Sequence, residues 1–190
     1  MPHTFDPARR KRLCSAERRR RLPPGKILAE IGLNTGDTFV DIGCGTGFFT
    51  FPAAVRVGSG GKTIGIDISP EMISDLILAA LKKGLTQVKA VLSPPGKPRL
   101  PRGADVYFLA NVLHEVKDKQ AFLLAVRSAA TRKSRLVVID FYKKKSEHGP
   151  PLRERIPLDE LKALLKKAGF TTFRVWRVNN EEYGLLAVPK

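Results

Sequence analysis

The sequence predicts an α/β protein built on a doubly wound, mostly parallel seven-stranded sheet that ends in a C-terminal antiparallel hairpin. Short apolar runs alternate five times with segments of helical spacing. This alternation requires crossover connections, and therefore a parallel sheet with helices on both of its faces. The last two apolar runs are separated only by a polar turn, which favours a hairpin. Three glycines spaced by one residue follow the first apolar run, so we expect a ligand beyond the carboxyl ends of the strands.

The predicted strands are apolar runs that are too short for a buried helix and are bounded by glycine, proline or polar residues. They comprise residues 38–42, 62–66, 88–92, 104–110, 135–141, 172–178 and 183–188. Asn179 and Asn180 lie between the last two runs and indicate the hairpin turn. Residues 93–103 hold four prolines and two glycines, and are predicted to be a loop.

The predicted helices are segments whose apolar residues recur on one side. They comprise residues 24–31, 48–57, 70–83, 117–130 and 157–168. The third of them has the clearest start, because Ser69 is suited to cap the helix and Pro70 to occupy its first position. Glycines follow the third and fifth helices, as expected at helix ends.

The length and composition fit one domain of ordinary size and exclude several classes of protein. No apolar run reaches the eighteen or so residues of a membrane span, and residues 1–24 lack the apolar core of a signal peptide. Two cysteines cannot build a disulfide framework, and no group of residues has the spacing of zinc ligands. We therefore expect a cytoplasmic protein without a bound metal, with a mitochondrial transit peptide as the alternative interpretation of the Arg-rich start.

The positive charge is large and unevenly distributed. The formal net charge is +16, which attracts polyanions and makes a nucleic-acid partner possible. Residues 37–110 contain eight basic and six acidic side chains and are nearly balanced, whereas the excess lies before and after them. We therefore predict a basic N-terminal arm or lid over residues 1–24 and one domain over residues 25–190.

The glycine-rich segment and the acid that follows it are the sharpest signals in the chain. Gly43, Gly45 and Gly47 follow the first strand directly and permit a tight turn and close approach of a ligand. Asp67 ends the next strand, where its carboxylate can accept hydrogen bonds from both hydroxyls of a ribose. Together these features predict a site for a nucleoside-containing cofactor.

Two cofactors compete for this site. A dinucleotide fingerprint requires a small residue at its third glycine position, and Phe48 occupies that position here. Asp41 precedes the glycines by two residues, which is unfavourable beside a pyrophosphate but suits an amino group or a sulfonium. The pattern therefore favours a cationic cofactor over a dinucleotide.

Three segments resemble motifs of the class I S-adenosylmethionine-dependent methyltransferases: residues 41–47 (DIGCGTG), 65–72 (GIDISPEM) and 111–116 (NVLHEV). The third is similar to the small-molecule branch, which includes the ubiquinone/menaquinone and arsenite methyltransferases. The resemblance covers residues 25–190 and implies a Rossmann-like fold, S-adenosyl-L-methionine as the cofactor and S-adenosyl-L-homocysteine as its product.

The resemblance also assigns residues to the cofactor. They are Asp41, Gly43, Cys44, Gly45, Gly47, Asp67, Ile68, Met72, Ser93 and Asn111. It implies that the glycines pass under the methionine part and that Asp41 binds the amino end through its backbone or a water. It further implies that Ile68 and Met72 pack on the adenine and that Asn111 offers a carbonyl near the methionine end. Ser93 departs from the family, which often has an acid there.

The catalytic residues are less defined, because methyl transfer needs a general base only when the acceptor arrives protonated. His114 is a candidate base, with packing or capping as the alternative. Tyr142 and His148 could contact the acceptor, and Cys44 is expected to be a small filler.

Two classes of acceptor remain open. A small molecule is favoured by residues 112–116, although an arsenic substrate is disfavoured because Cys14 is the one cysteine outside the cofactor loop. RNA or a ribosomal acceptor is favoured by the charge, but the fourth strand lacks the Asn/Asp-Pro-Pro-aromatic motif used for exocyclic nitrogens. A non-catalytic cofactor-binding protein is the third possibility, and the oligomeric state is not predicted.

Overall fold

The computed structural model describes residues 15–190, which form alternating helices and strands followed by a hairpin. The helices are α1 (Ala16–Arg21), α2 (Pro24–Glu30), α3 (Thr50–Val57), α4 (Pro70–Lys82), α5 (Lys119–Ala129) and α6 (Leu158–Lys167). The strands are β1 (Thr38–Ile42), β2 (Lys62–Asp67), β3 (Val88–Leu92), β4 (Val106–Ala110), β5 (Arg135–Phe141), β6 (Phe170–Arg177) and β7 (Glu182–Pro189). A single 3-10 turn covers Leu113–Glu115.

All seven strands form one sheet in the order β3-β2-β1-β4-β5-β7-β6. The first five strands are parallel, whereas β7 lies antiparallel between β5 and β6. The strands that follow β1 and β4 in the chain therefore lie on opposite sides of this pair. The carboxyl ends of β1 and β4 form the switch point, where ligands of such sheets bind. The predicted doubly wound fold with its C-terminal hairpin is confirmed.

Two hydrophobic layers cover the two faces of the sheet. Apolar residues of α2 and α3 pack with Phe39, Phe108 and Ile139 on one face. Apolar residues of α5 and α6 pack with Tyr107 and Leu109 on the other. Successive residues of β4 thus point to opposite layers, and both layers exclude water, which explains why this strand is apolar throughout.

Helix α4 lies unusually close to β2 because Gly65 has no side chain. A Cβ at this position would lie 2.5 Å from Leu76 Cδ2 of α4 and 3.0 Å from Cys44 Sγ. These distances are below van der Waals contact, so a larger residue would displace α4 and the loop that carries Cys44. The glycine therefore fixes the distance between the second and first motifs.

Several predicted boundaries are corrected by the structure. Residues 48 and 49 are in a turn before α3, and α5 begins at Lys119 because Asp118 caps it by accepting the Ala121 N–H at 2.9 Å. Helix α1 lies inside the predicted arm and was not expected. It has no buried residue, and its start is capped by the Ser15 hydroxyl, so apolar periodicity could not indicate it.

Within residues 15–190, no helix has the length and apolar character needed to cross a membrane.

Candidate cofactor and acceptor site

The loop after β1 is shaped by glycines whose backbone angles other residues rarely adopt. Gly43 and Gly47 have φ angles of 73° and 94°. A Cβ at Gly47 would lie 2.5 Å from the Phe51 ring, and one at Gly43 would lie 2.4 Å from Val112 Cγ2. Both positions therefore require glycine for conformation and for space, as the sequence pattern predicts.

Asp67 ties this loop to the second motif. Its Oδ2 accepts the Gly45 N–H at 2.8 Å, and its Oδ1 accepts the Ser69 N–H at 3.0 Å. A carboxylate can accept about four hydrogen bonds, so Asp67 retains acceptor capacity for the two hydroxyls of a ribose. The structure thus brings Asp67 to the glycine loop, where its predicted role requires it.

Asp41 is buried beneath the loop rather than lining an open cleft. Its Oδ2 accepts the Thr50 hydroxyl at 2.6 Å, and its side chain is 3% exposed. Burial raises the pKa of Asp41 to about 7, an effect that the Thr50 hydrogen bond opposes and the nearby Asp67 charge increases. A cation brought close to Asp41 would lower this pKa and favour the ionised carboxylate.

The region assigned to the adenine has one exposed and two buried members. Ile68 is 44% exposed directly after β2, so its apolar side chain is accessible to a planar apolar ligand. Met72 is buried in the first turn of α4. The buried Ser93 hydroxyl accepts the Arg99 N–H at 2.9 Å and so closes the proline-rich loop. Its predicted contact with the adenine stays a prediction.

Asn111, at the carboxyl end of β4, has the geometry of a strained functional residue. It is the one non-glycine residue with positive φ within the described chain, at 61°. Its Nδ2 donates to Glu182 Oε1 at 2.7 Å, whereas its Oδ1 is buried and has no hydrogen-bond partner among residues 15–190. This acceptor lies at the end of β4, beside the switch point where ligands of such sheets bind, and so has capacity for a ligand donor.

Cys44 lies inside the glycine loop but faces the protein interior. It packs with Ile73 and Leu76 of α4, and burial raises the pKa of its thiol well above the usual value. A thiol that stays protonated is a poor nucleophile. Cys44 therefore fills space between the loop and α4, as expected. Its predicted contact with the cofactor stays a prediction.

The predicted cofactor fits these residues. The Asp67 carboxylate suits a ribose diol, the exposed Ile68 suits an adenine ring, and the unpartnered Asn111 Oδ1 suits an ammonium group. These three features lie along the edge formed by the carboxyl ends of β2, β1 and β4. No group of three or more His, Cys, Asp or Glu side chains that could hold a metal occurs within residues 15–190.

His114 forms a buried pair with Asp140, a partner that sequence reasoning missed. The distance from His114 Nδ1 to Asp140 Oδ1 is 2.7 Å, and both side chains are at most 5% exposed. Burial lowers the pKa of His114, but the charge and hydrogen bond of Asp140 outweigh it, with Glu115 and Glu154 adding to the rise. When Nδ1–H donates to Asp140 Oδ1, Nε2 is the ring nitrogen that can take a proton.

A cavity of about 450 Å³ opens beside this pair. Its walls include His114, Ile156 and the charged side chains of Lys119, Lys143, Arg153 and Glu154. Tyr142 lies outside this group of lining residues, and its ring packs against Tyr183 with centroids 5.3 Å apart. Its predicted contact with an acceptor stays a prediction.

Helix α1 is held at the same edge of the sheet by ionic contacts. We call the five residues that form these contacts the clasp: Glu17, Arg21, His148, Glu181 and Glu182. Arg21 Nη1 lies 2.8 Å from Glu182 Oε2, and the His148 ring nitrogens lie 2.6 Å from Glu17 Oε1 and 2.9 Å from Glu181 Oε2. His148 thus bridges two carboxylates rather than facing the cavity.

Helix α1 also covers the glycine loop. The Arg18 guanidinium lies 4.5 Å from the centroid of the Phe48 ring, which directly follows Gly47. The charge of Arg18 also lowers the pKa of Asp41, although burial has the larger and opposite effect. The described part of the predicted arm is therefore in contact with the predicted cofactor site. Residues 1–14, including Cys14, lie outside the described residues.

Comparisons with known proteins agree with this geometry. A family model described as a methyltransferase domain matches residues 33–178. The crystal structure of a SAM-dependent methyltransferase from Aquifex aeolicus is 32% identical, with a TM-score of 0.93, over 98% of this chain and 100% of that chain.

Two curated relatives match a shorter region. Aklanonic acid methyltransferase from Streptomyces sp. (strain C5) is 40% identical over 80 residues, which are 42% of this chain and 36% of that protein. Nocamycin O-methyltransferase from Saccharothrix syringae is 37% identical over 79 residues, which are 42% of this chain and 28% of that protein. The match thus spans about a third of the length of these relatives.

Proposed function

Because the chain belongs to the S-adenosylmethionine-dependent methyltransferases, as the sequence predicts, we propose that it methylates a hydroxyl oxygen of a small-molecule acceptor. Bound S-adenosyl-L-methionine supplies a methyl group that its sulfonium activates for in-line displacement. The protein then has to hold donor and acceptor in line and exclude water. The names of the two curated relatives support a small-molecule acceptor, and one of them names oxygen as the acceptor atom.

The cofactor is held, in this proposal, by the loop and the strand ends described above. Asp67 binds the ribose hydroxyls, Ile68 and Met72 contact the adenine, and Asn111 and the loop backbone bind the amino-acid end. Asp41 supports this end from below through its negative charge. The site assignment extends the sequence prediction and rests on the fit between donor set and ligand.

His114 acts as the general base. Its Nε2 takes the proton of the acceptor hydroxyl while Asp140 holds Nδ1–H and stabilises the imidazolium that forms. The buried 2.7 Å contact between His114 and Asp140 is the observation that carries the proposal, because a hydroxyl acceptor needs a proton acceptor while a more basic nucleophile does not. The cavity beside His114 holds the acceptor.

An RNA acceptor is the second candidate, favoured by the net charge of +16. The two candidates differ in what the charge does. In the small-molecule case the charged side chains line the cavity beside His114, whereas in the RNA case they form the binding surface and make affinity strongly dependent on salt. The cytoplasmic location stays a prediction, as does the division at residue 24.

A labelled methyl group distinguishes these candidates. The protein is incubated with the tritiated donor and either a panel of phenols and hydroxylated aromatic acids or total RNA. We expect label in a phenolic product, loss of that label in His114→Gln, and retention in the matched His148→Gln variant. Label in RNA alone, or equal activity of both variants, would contradict the proposal.

A further inference from the structure

Glu182 is a fully buried carboxylate that joins three separate parts of the chain. Its Oε2 accepts from Arg21 Nη1 of α1 at 2.8 Å and from Asn179 Nδ2 of the hairpin turn at 2.7 Å. Its Oε1 accepts from Asn111 Nδ2 at the end of β4, also at 2.7 Å. Glu182 itself is 0% exposed. A buried charge with this many partners is expected to determine how those partners are oriented.

The Glu182 carboxylate determines the orientation of the Asn111 side-chain amide. An ionised carboxylate can only accept hydrogen bonds, so the amide nitrogen of Asn111 must face Glu182 and the amide oxygen must face away. That oxygen is buried and lacks a donor within residues 15–190. The orientation that satisfies Glu182 therefore leaves a buried acceptor available to a ligand.

Asn111 directly precedes a residue that contacts the glycine loop. Val112, the next residue, touches Gly43 so closely that a Cβ there would lie 2.4 Å from its Cγ2. The Asn111 N–H is held by the Ile139 carbonyl at 2.8 Å, and the φ angle of 61° turns the residue away from the strand. The backbone and the side chain of Asn111 are thus both fixed next to the loop.

Arg21 is the cationic partner of the buried Glu182 carboxylate, with Nη1 2.8 Å from Oε2. A buried carboxylate is strongly disfavoured without such a partner. Arg21 therefore stabilises the arrangement in which Oε1 of Glu182 accepts from the Asn111 amide nitrogen. Arg21 also lies 3.5 Å from Glu181, but Glu182 is its closer and more deeply buried partner.

We propose that Arg21 and Glu182 are positioning residues for the cofactor: they hold the Asn111 amide so that Oδ1 accepts from the ammonium of its amino-acid end. Helix α1 is then a working part of the cofactor site, since it carries Arg21. The proposal rests on the proposed function, because it assumes that S-adenosylmethionine binds at the glycine loop. No step of the methyl transfer passes through these residues.

Calorimetric binding of two ligands tests the proposal. S-adenosyl-L-homocysteine has the amino-acid end, whereas 5′-methylthioadenosine retains the nucleoside and thioether but lacks it. We expect Glu182→Gln and Arg21→Gln to weaken S-adenosylhomocysteine binding about tenfold, the cost of one charge-assisted hydrogen bond, and to leave methylthioadenosine within about twofold. Arg20→Gln, at an exposed neighbour in α1, is the matched control and should change neither affinity.

A double-mutant cycle separates positioning from a general structural effect. Asn111→Gly keeps the positive φ angle and removes Oδ1. If Glu182 acts through Asn111, the double variant should bind S-adenosylhomocysteine no more than about twofold more weakly than the weaker single variant. Thermal unfolding reports whether Glu182→Gln lowers the folded fraction. If it does, the same cycle is measured with Arg21→Gln in place of Glu182→Gln.

The results that would contradict this inference differ from the result that would contradict the proposed function. Equal losses for both ligands would show that Glu182 only supports the fold, and additive losses in the cycle would show that it does not act through Asn111. Either result would overturn the inference and leave the proposed function intact. Failure of the unaltered protein to bind either ligand would instead overturn the proposed function, and the inference with it.

Discussion

The contacts that hold the cofactor loop join residues close in sequence, whereas the contacts that hold the clasp join residues far apart in sequence. In the loop region, Asp41 bonds Thr50 and Asp67 bonds Gly45, across 9 and 22 residues of sequence. In the clasp, Arg21 bonds Glu182 and His148 bonds Glu17, across 161 and 131 residues. The first region is therefore encoded in a continuous motif, whereas the second exists only after the whole sheet has formed.

The two regions also differ in how charge is used. The segment around the loop is nearly neutral, and its two acids are bonded to neutral donors of the protein. On the β4–β5–β7 side of the site, buried Asp140 and Glu182 face His114 and Arg21 respectively. We infer that the loop region binds the cofactor directly, while the β4–β5–β7 side provides proton transfer through His114 and orients Asn111 through Glu182 and Arg21.

The largest expected effect separates chemistry from cofactor binding. His114→Gln should lower kcat by about 10² to 10⁴, the range for loss of a general base, and leave the affinity for S-adenosylhomocysteine unchanged. Because His114 acts in its neutral form, kcat of the unaltered enzyme should rise with pH through the raised pKa of His114. Asp140→Asn should lower this pKa and shift the rise to lower pH, as a pH–rate profile would show.

An unshifted profile in Asp140→Asn would contradict the role of the pair. A loss of cofactor affinity in His114→Gln would show that the role of His114 is not confined to proton transfer.

Asp67→Ala tests the loop side of the comparison. It should weaken binding of S-adenosylhomocysteine by about 1–3 kcal/mol, because the ribose hydroxyls lose a charged acceptor. The Gly45 and Ser69 N–H groups lose theirs as well. Asp67→Asn keeps one acceptor oxygen and should lose less affinity for S-adenosylhomocysteine. Titration calorimetry measures both affinities, and an unchanged value for Asp67→Ala would mean that the ribose is held elsewhere.

Asp41, in the loop region, should make the stability of the protein depend on pH. Because the pKa of Asp41 is about 7 in the folded state and 3.8 when unperturbed, the folded state binds the extra proton between these values. Stability is then fully present below pH 3.8 and is lost as pH rises towards 7. We expect the free energy of unfolding to fall by about 2 kcal/mol between pH 5 and pH 8.

When the free energy of unfolding is measured with urea, Asp41→Asn should lack this part of its decline with pH. His114 and His148 also have raised pKa values and add a loss in the same direction, so the difference between the two proteins isolates Asp41. Parallel curves for the unaltered protein and the variant would refute the assignment.

The smallest effect is expected at His148, whose contacts in the clasp are partly exposed. The hydrogen bond to Glu17 is the main cause that raises the pKa of His148, although burial opposes it and Glu181 adds to it. The stabilisation is therefore present below pH 6.5 and is lost as pH rises through the raised value. Since His148 is 31% exposed, His148→Asn should cost at most about 1 kcal/mol at pH 6 and nothing measurable at pH 9. A cost that persists at pH 9 would indicate packing rather than charge.

Much of the fold could be predicted because its signals are local. The strands over residues 38–42, 88–92 and 135–141 were predicted with the bounds that the structure shows. Each is a mainly apolar run between polar or turn-forming residues. Helix α1 was missed because its stability comes from ionic contacts with residues more than 100 positions away.

The candidate site divides in the same way. Asp41, Asp67 and the glycines were predicted from spacing alone, and the structure places them together. Asp140 and Glu182 were missed, although a single acid within or beside a buried apolar run is a signal that could have indicated a buried partner. Their partners, however, depend on strand order, which spacing does not reveal.

The most direct test of the central claim is a calorimetric titration of the unaltered protein with S-adenosylhomocysteine and, separately, with NAD. The account predicts one S-adenosylhomocysteine site per chain and no binding of NAD, because Phe48 occupies the position that a dinucleotide loop keeps small. Binding of NAD without binding of S-adenosylhomocysteine would contradict it.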